Sequence, residues 1–430
     1  MAEPLIDAPP RVDTSTAPPI REPKSAPARI ALRLAVALTF RDFRILWLGA
    51  FTSTIGTWMQ KVAQSWLVLT LTGSAFYLGL DAFLAELPIL LFTLIGGVIA
   101  DRHDRRQVLI GSQCVQLTSA FTLATLVYFE VVEMWHILLL SSLSGFGQAF
   151  GGPAHQSLLP SLVPATHLPN AIALNSIQFN LARVIGPLLA GLTLAAWGSA
   201  VCFGLNGLSF LVVIVALLSL RHVHVAPTSG TRMIDEMRSG LSFVRGRVAL
   251  RSLIVLAFLT TLLGLPLVTF LPLFVQNVFH EDVGRYSTMM AFSGSGAVSG
   301  ALVVAWLGRF RHMGVTLLTV QGVFGLLVLA FSASRHLWLS YGLLFLAGAS
   351  LIIVFALMTS LVQLTAPDAM RGRVMSIFML AFRGGMPIGS LVGGYAASLV
   401  SAPAVLAVNG ALLTMVAGYF LLWSPEVRSL

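Results

Sequence analysis

The chain is patterned as long apolar runs separated by short polar breaks. Runs of about 20 residues or more recur at roughly 44–71, 76–100, 107–129, 135–158, 170–196, 200–220, 252–279, 285–308, 312–332, 337–362, 374–400 and 403–423. Strands of a membrane barrel would be about ten residues long and would alternate apolar with polar positions. These runs are about twice that length and apolar throughout, so the pattern predicts an all-α membrane protein with twelve transmembrane helices. Most breaks are only a few residues long. The exceptions are the polar N-terminal segment, a stretch near 159–169 and a longer one at 221–251.

Composition strengthens this reading. Of 430 residues, 57% are hydrophobic and only 10% are charged, where soluble domains carry about a quarter charged residues. A soluble pair of domains, the expectation from length alone, is thereby excluded. Residues 1–30 are rich in proline, serine, threonine and charge and read as a disordered cytoplasmic tail. The stretch 30–40 suits a short helix lying on the membrane surface, which sets 1–40 apart from the spans. No short apolar core with a small-residue cleavage site precedes the first run, so no cleaved signal peptide is expected. Cys114 and Cys202 both lie in apolar runs and supply no disulfide framework.

The net charge of +9 would suit a nucleic-acid partner until the positions of the 26 lysines and arginines are considered. Only Arg285 and Arg335 fall in the loops opposite the termini, and only Lys61, Arg183 and Arg383 fall inside spans. All the others lie in the tails and in the loops on the side of the termini. By the positive-inside rule both termini and the 221–251 segment are cytoplasmic, in a multi-pass protein of the cytoplasmic (inner) membrane. The charge is a topology signal, and no nucleic acid is implied.

The run is also repeated. Residues 157–191 align without a gap onto residues 360–394, with Ser157/Ser360, Pro164/Pro367, Phe179/Phe382, Ile185/Ile388, Gly186/Gly389, Leu188/Leu391 and Gly191/Gly394 identical. Each segment leads from the end of one span into the next, six spans apart. The chain therefore divides into two related six-helix bundles, 41–220 and 252–423, joined by the 221–251 linker and followed by a cytoplasmic tail at 424–430. A parallel repeat of this kind places a substrate site near mid-membrane between halves that rock about it.

The loop after the second span reads Gly96-Gly97-Val98-Ile99-Ala100-Asp101-Arg102-His103-Asp104-Arg105-Arg106. Gly97 would let a neighbouring helix approach closely. Asp101 would pair with an arginine or a helix N-terminus across the half, and Arg102, Arg105 and Arg106 would hold the cytoplasmic face. This loop is similar to the signature of the major facilitator superfamily, with Asp104 where a second glycine is usual. Trp66-Leu67-Val68, Leu159-Pro160-Ser161-Leu162-Val163-Pro164, Asn180-Leu181-Ala182-Arg183-Val184-Ile185-Gly186-Pro187 and Arg371-Gly372-Arg373 extend the likeness over roughly 40–425. Together they resemble the branch containing the enterobactin exporter and the transmembrane secretion effectors. The resemblance implies a twelve-helix fold, and export as the direction of transport. Gly186-Pro187-Leu188-Leu189-Ala190-Gly191 also resembles part of the span-5 motif of antiporters, with small residues for tight packing and a proline bend. Gly389 and Gly393 hold the corresponding place in the second half, without the proline. The arginine that drug–proton antiporters often carry in span 4 is missing here.

Ionisable groups inside spans are functional candidates. Lys61 and Glu86 lie about 19 Å along their helices from the turn between spans 1 and 2, so an ion pair is expected between them. Thr57, Gln60, Lys61 and Gln64 recur at helical spacing and form a polar stripe assigned to a central cavity. Asn180 and Arg183 sit mid-depth in span 5, and Arg383, which aligns with Asn180, sits mid-depth in span 11. Arginines lining a cavity would suit an anionic or carbonyl-rich substrate; pairing of Arg183 with Glu86 or with carbonyls freed by Pro187 is the structural alternative. Asp81, nearer the outer end of span 2, would reach water. Asp81 and Glu86 are the carboxylates available for ion coupling, with Lys61 beside them.

The residues hold no metal cluster, no cofactor motif, no nucleophile–base constellation and no G-x-x-x-x-G-K-[ST] phosphate loop. An enzyme and an ATP-driven pump are not supported. The expected function is secondary transport by a monomer, exporting a small amphipathic molecule such as a siderophore, drug or metabolite in exchange for protons. Uptake or lipid flipping on the same scaffold, and a sensor or scaffold that no longer transports, are the alternatives.

Overall fold

The computed structural model describes residues 35–221 and 233–430. The expected tail at 1–30 and part of the central linker lie outside these residues. Among the described residues all regular structure is helical. The first group comprises α1 (Arg41–Thr72), α2 (Ala75–Arg102), α3 (Arg105–Tyr128), α4 (Met134–Leu158) and α5 (Leu168–Leu218). Next come α6 (Met233–Arg245) in the linker and the broken run α7 (Val248–Gly264), α8 (Pro266–Thr269) and α9 (Leu271–Asn277). The chain continues through α10 (Val283–Leu307), α11 (Met313–Ala333), α12 (Leu337–Thr365), α13 (Asp368–Leu399), α14 (Ala402–Trp423) and α15 (Pro425–Arg428). The single span expected at 252–279 is interrupted because Pro266 and Pro272 remove helix donors. The linker, expected as a loop, contains α6, which packs along the start of α13, with Gly240 against Arg373.

Among the described residues, nine helical segments are long and apolar enough to cross a bilayer. Two further long helices, α1 and α4, lie outside these nine and contribute Gln60, Lys61, Gln64 and Ser141 to the site below. One of the nine, 54 residues from Ala165 to Leu218, is about 80 Å of helix, far more than the ~30 Å of a hydrocarbon layer. It reverses at Gly198, whose φ of 78° is a backbone that side chains disfavour. The reversal is visible in its packing on α1. Trp47 donates from Nε1 to the Leu174 carbonyl (3.0 Å), and Gly186 lies against Trp58, so the first arm runs parallel to α1. Gly49 lies against Ala216 and Gly56 against Asn206 and Ser209, so the second arm runs antiparallel to it.

Helices α1–α5 pack on one another, and α7–α14 form a second set. The sets meet mainly along α2 with α13 and α5 with α10. Residues of the repeat make both contacts. Gly394 packs on Ala75 and Gly79 of α2, and its counterpart Gly191 packs on Ser287 and Gly284 of α10. Gly186 and Gly389, also repeat partners, pack on α1 and α7 respectively, and Gly393 meets Phe270 and Pro266.

The apolar core is shared at one end and split at the other. At the end distal to the termini, one buried cluster takes Val62, Leu78 and Phe203 from the first set and Phe270, Tyr286 and Leu406 from the second. At the termini end each set has its own core, one around Phe43, Leu109 and Leu217 and one around Leu253, Leu317 and Phe378. The sets are thus sealed together distally and packed separately near the termini. Consistently, Trp66 of α1 stacks on Tyr286 of α10 at the distal end (centroids 6.1 Å apart, planes at 20°).

A side chain at Gly79 would run into the Ser390 backbone. Gly79→Leu is therefore expected to destabilise the protein by about 1–3 kcal/mol through overpacking. Gly97→Ala, where an added methyl meets nothing within 4 Å, is expected to be near neutral. Thermal unfolding of both variants in detergent checks the contrast.

Candidate functional site

Three helices converge on one carboxylate. Asp81 sits six residues into α2 and is only 8% exposed. Gln64 of α1 donates from Nε2 to both its oxygens (3.0 and 2.9 Å). The Ser141 hydroxyl of α4 donates to the same carboxylate and accepts from Gln64 Nε2 (2.8 Å). No lysine or arginine lies within ion-pair distance of it among the described residues. The expectation that Asp81 reaches water is overturned, because the distal seal covers it. A carboxyl group bound only by neutral donors can exchange a proton without breaking an ion pair.

The hydrogen bonds continue away from Asp81. Gln60 Nε2 makes a long bond to Gln64 Oε1 (3.4 Å), and Asn206 Nδ2 donates to Gln60 Oε1 (2.6 Å). The Ser209 hydroxyl in turn donates to Asn206 Oδ1 (3.1 Å). A polar chain therefore links the second arm of α5, through α1, to α2 and α4. The predicted stripe on α1 is divided by this arrangement. Gln60 and Gln64 turn into the first helix set, and the Thr57 hydroxyl is occupied by the Ser53 carbonyl (2.9 Å). Lys61 is exposed and makes none of these bonds.

Lys61 does not pair with Glu86, although the two lie at similar depth. Its Nζ stands over the Trp58 indole, 5.1 Å from the ring centroid. The Arg183 guanidinium stands over the same indole at 5.6 Å. Neither the alternative pairing of Arg183 with Glu86 nor a bond from Arg183 to carbonyls near Pro187 is formed; α5 stays helical through Pro187 and breaks only at Gly198. Phe179, one turn before Arg183, meets Trp58 edge-on (6.2 Å, 68°). Asn180 donates to the Ser176 carbonyl of its own helix. Arg383 is exposed on α13. In the antiparallel register that sets Ala75 against Gly394 and Gly79 against Ser390, Arg383 shares a level with Glu86, without an ion pair.

The loop between α2 and α3 holds helix ends together. Arg105 donates to the Ser157 carbonyl at the end of α4 (3.0 Å), and Arg106 to the Leu218 carbonyl at the end of α5 (2.8 Å). Both arginines thus neutralise the negative ends of helices, as exposed Arg102 does in the last turn of α2. Asp101 pairs with Arg105 of its own loop (3.9 Å) and, among the described residues, with nothing across the half. Asp104 caps α3, accepting from the Arg106 amide (2.9 Å), which explains an aspartate where the resemblance leads one to expect glycine. The close approach assigned to Gly97 belongs to its neighbour: Gly96 packs on the Ala149–Phe150 backbone of α4, and Gly97 faces open space. The sequence reading missed Ser141, Asn206 and Trp58. Ser141 lies as deep in α4 as Asp81 lies in α2, and Trp58 is one turn from Lys61, so depth and helical spacing were the available signals.

Two sets of membrane helices built on a repeat, sealed at one end around buried polar groups, define a multi-pass membrane transporter. Residues 35–429 match the family described as transmembrane secretion effector, and the chain belongs to this family of the major facilitator superfamily. It is 25% identical to the staphyloferrin A transporter of Staphylococcus aureus over 86% of this chain and 93% of that protein. It is 25% identical to the enterobactin exporter EntS of Citrobacter koseri (92% and 95%) and 27% identical to the multidrug efflux pump Tap of Mycolicibacterium fortuitum (89% and 95%). Its fold matches a bacterial homologue of the lysosomal transporter Spinster in an inward-facing conformation, with TM-score 0.71 and 14% identity over 89% of this chain and 98% of that one. The nucleoside transporter NupG matches with TM-score 0.70 and 15% identity over 89% and 98%. The chain is a transporter and not an enzyme.

Asp104→Ala is expected to lower stability by about 1 kcal/mol and Asp104→Asn by much less, because asparagine retains the capping oxygen. Thermal denaturation of the two variants in detergent checks this.

Proposed function

We propose that the chain is a proton-driven exporter of a small amphipathic molecule, in the class of siderophores, drugs and secreted metabolites, with Asp81 as the proton-carrying group. The observation that carries this reading is Asp81 itself, a buried carboxylate held by three helices with neutral donors alone. Export is supported by the relatives whose names state export or efflux. In this reading the protein acts as a monomer in the cytoplasmic membrane, with twelve spans, two six-helix halves at 41–220 and 252–423, and cytoplasmic termini. The distal end then faces outward, and Asp81 lies about 9 Å beneath it. In this reading the conformation, with a shared distal core and separate cores near the termini, is closed outward.

A proton gained or lost at Asp81 changes what Gln64 and Ser141 can donate to it. Since these belong to α1 and α4, the change acts on how three helices pack, and so on the seal between the halves. Closing the opposite end would bring the termini ends of α2 and α13 together. Gly97 and Gly372, which fall at one level of the α2–α13 register and both face open space, are suited to that contact. The Asp101–Arg105–Arg106 loop, which ties α2 and α3 to the ends of α4 and α5, would move as part of the first half.

Reconstitution into liposomes with an imposed pH gradient, scanned over fluorescent amphipathic solutes of each charge, tests the proposal. The unaltered protein is expected to move a solute against its gradient when the pH gradient is present. Asp81→Asn is expected to abolish that drive and keep downhill exchange of the same solute. Unchanged gradient-driven movement in Asp81→Asn would refute the role of Asp81. For alternating access, a Gly97→Cys, Gly372→Cys pair in a chain with Cys114 and Cys202 changed to serine should cross-link only when solute and protons turn the transporter over. Cross-linking equally fast without turnover would contradict the rocking model.

A further inference from the structure

The mid-membrane charges that the hydrogen-bond network leaves out are of one predominant sign. Lys61 and Arg183, from α1 and α5, share the Trp58 indole and, among the described residues, have no carboxylate within ion-pair distance and no hydrogen-bond partner. Arg383 of α13 is exposed and likewise unpaired, at the edge of the contact between the halves. Among the described residues Glu86 is the one carboxylate at this depth, and it pairs with none of the three. Asp81 is walled off by its own donors. An indole face offsets only part of the cost of holding a cation at mid-membrane. The remainder must be met by water in an open cavity or by an anion that enters it.

The surroundings of the two cations add a second requirement. Phe179 is half exposed and meets Trp58 edge-on, so the cations sit beside an apolar aromatic surface. Gly186 holds Trp58 in place, because its missing side chain makes room for the Trp58 Cβ and α1 backbone. Lys61 supplies a compact ammonium and Arg183 a planar fork, a combination that grips an oxyanion from two directions.

From this geometry we infer that Lys61, Arg183 and Trp58 form the binding site for the oxyanion group of the transported solute, which is therefore an organic anion with an apolar or aromatic body. Phe179 packs against that body, and Arg383 closes on the anion from the second half. This inference rests on the transport reading for its meaning and is tested independently of it, by binding without a membrane or a gradient.

The probes are naphthalene-2-carboxylate, its uncharged carboxamide and 2-naphthylmethylammonium, which share one ring system and differ in charge. Binding to the detergent-solubilised full chain is followed by quenching of tryptophan fluorescence, with Trp58→Phe identifying the contribution of the site. The carboxylate is expected to bind about tenfold tighter than the carboxamide, and the ammonium more weakly still. Lys61→Gln with Arg183→Gln should remove the preference, whereas Arg183→Lys, which keeps the charge, should retain most of it. Thermal unfolding confirms that each variant is folded, and Arg183→Lys carries the test if the double variant is not. Equal binding of the three probes to the unaltered protein, or a preference that survives the double substitution, overturns the inference. A failed transport assay with the carboxylate preference intact would instead count against the exporter reading alone.

Discussion

A hydrocarbon layer offers a polar group no partner of its own, and this one constraint orders the interior of the protein. A polar side chain at mid-depth is costly unless another part of the chain satisfies it or it stands beside water, a cost that the buried, unbonded Gln321 amide illustrates. Both solutions occur, a few residues apart. Asp81 takes the first, with Gln64 and Ser141 saturating its oxygens in a sealed region. Lys61, Arg183 and Arg383 lack such partners among the described residues; Lys61 and Arg383 are exposed, as the second requires, and Arg183 shares the Trp58 indole with Lys61.

Parting at one end demands sealing at the other, and the seal is built mainly of packing, with a hydrogen bond between Tyr286 and Ser65 beside the Trp66–Tyr286 stack. Gly79 against Ser390 and Gly394, and Gly191 against Ser287, bring backbones close enough for van der Waals contact, and the shared core around Phe270 and Tyr286 fills the remaining space. Such contacts are made of packing alone, so they can be undone and remade elsewhere at little cost in unsatisfied polar groups. That Gly191 and Gly394 are partners in the repeat shows why duplication suits this device. Each half presents the same small-residue helix to the other, and the interface is pseudo-symmetric by construction.

Much of this was legible in the chain itself. The apolar runs, the joint near 221–251 and the gapless repeat follow from patterning that the lipid imposes on every residue. The family resemblance rests on motifs in the chain, whereas Asp81, expected to reach water, and Gln60 and Gln64, expected to line a cavity, all turn into the first helix set. Partnerships were not legible. Depth along two helices placed Lys61 level with Glu86, but depth carries no information about rotation, and Lys61 faces Trp58 instead. The close approach expected at Gly97 falls to Gly96 for the same reason: adjacent residues point about 100° apart on a helix, and only the packing of α4 shows which one is used. Ser141 is inconspicuous among the serines of α4 until α2 is placed beside it.

The two solutions meet on α1, and this bears on how coupling would work. Gln64 and Lys61 are three residues apart, about one turn, so a group bound to the candidate proton site and a group facing the cavity ride on the same stretch of helix. Gln60, bonded to Gln64, ties that stretch to Asn206 on the second arm of α5, and Arg183 sits on the first arm. A shift of α1 driven from Asp81 would therefore carry Lys61 with it and strain its shared contact with Arg183 on Trp58. Proton and solute need no direct contact in such an arrangement. A rigid helix with one polar face turned inward and one cation turned outward is sufficient to make the occupancy of each felt by the other.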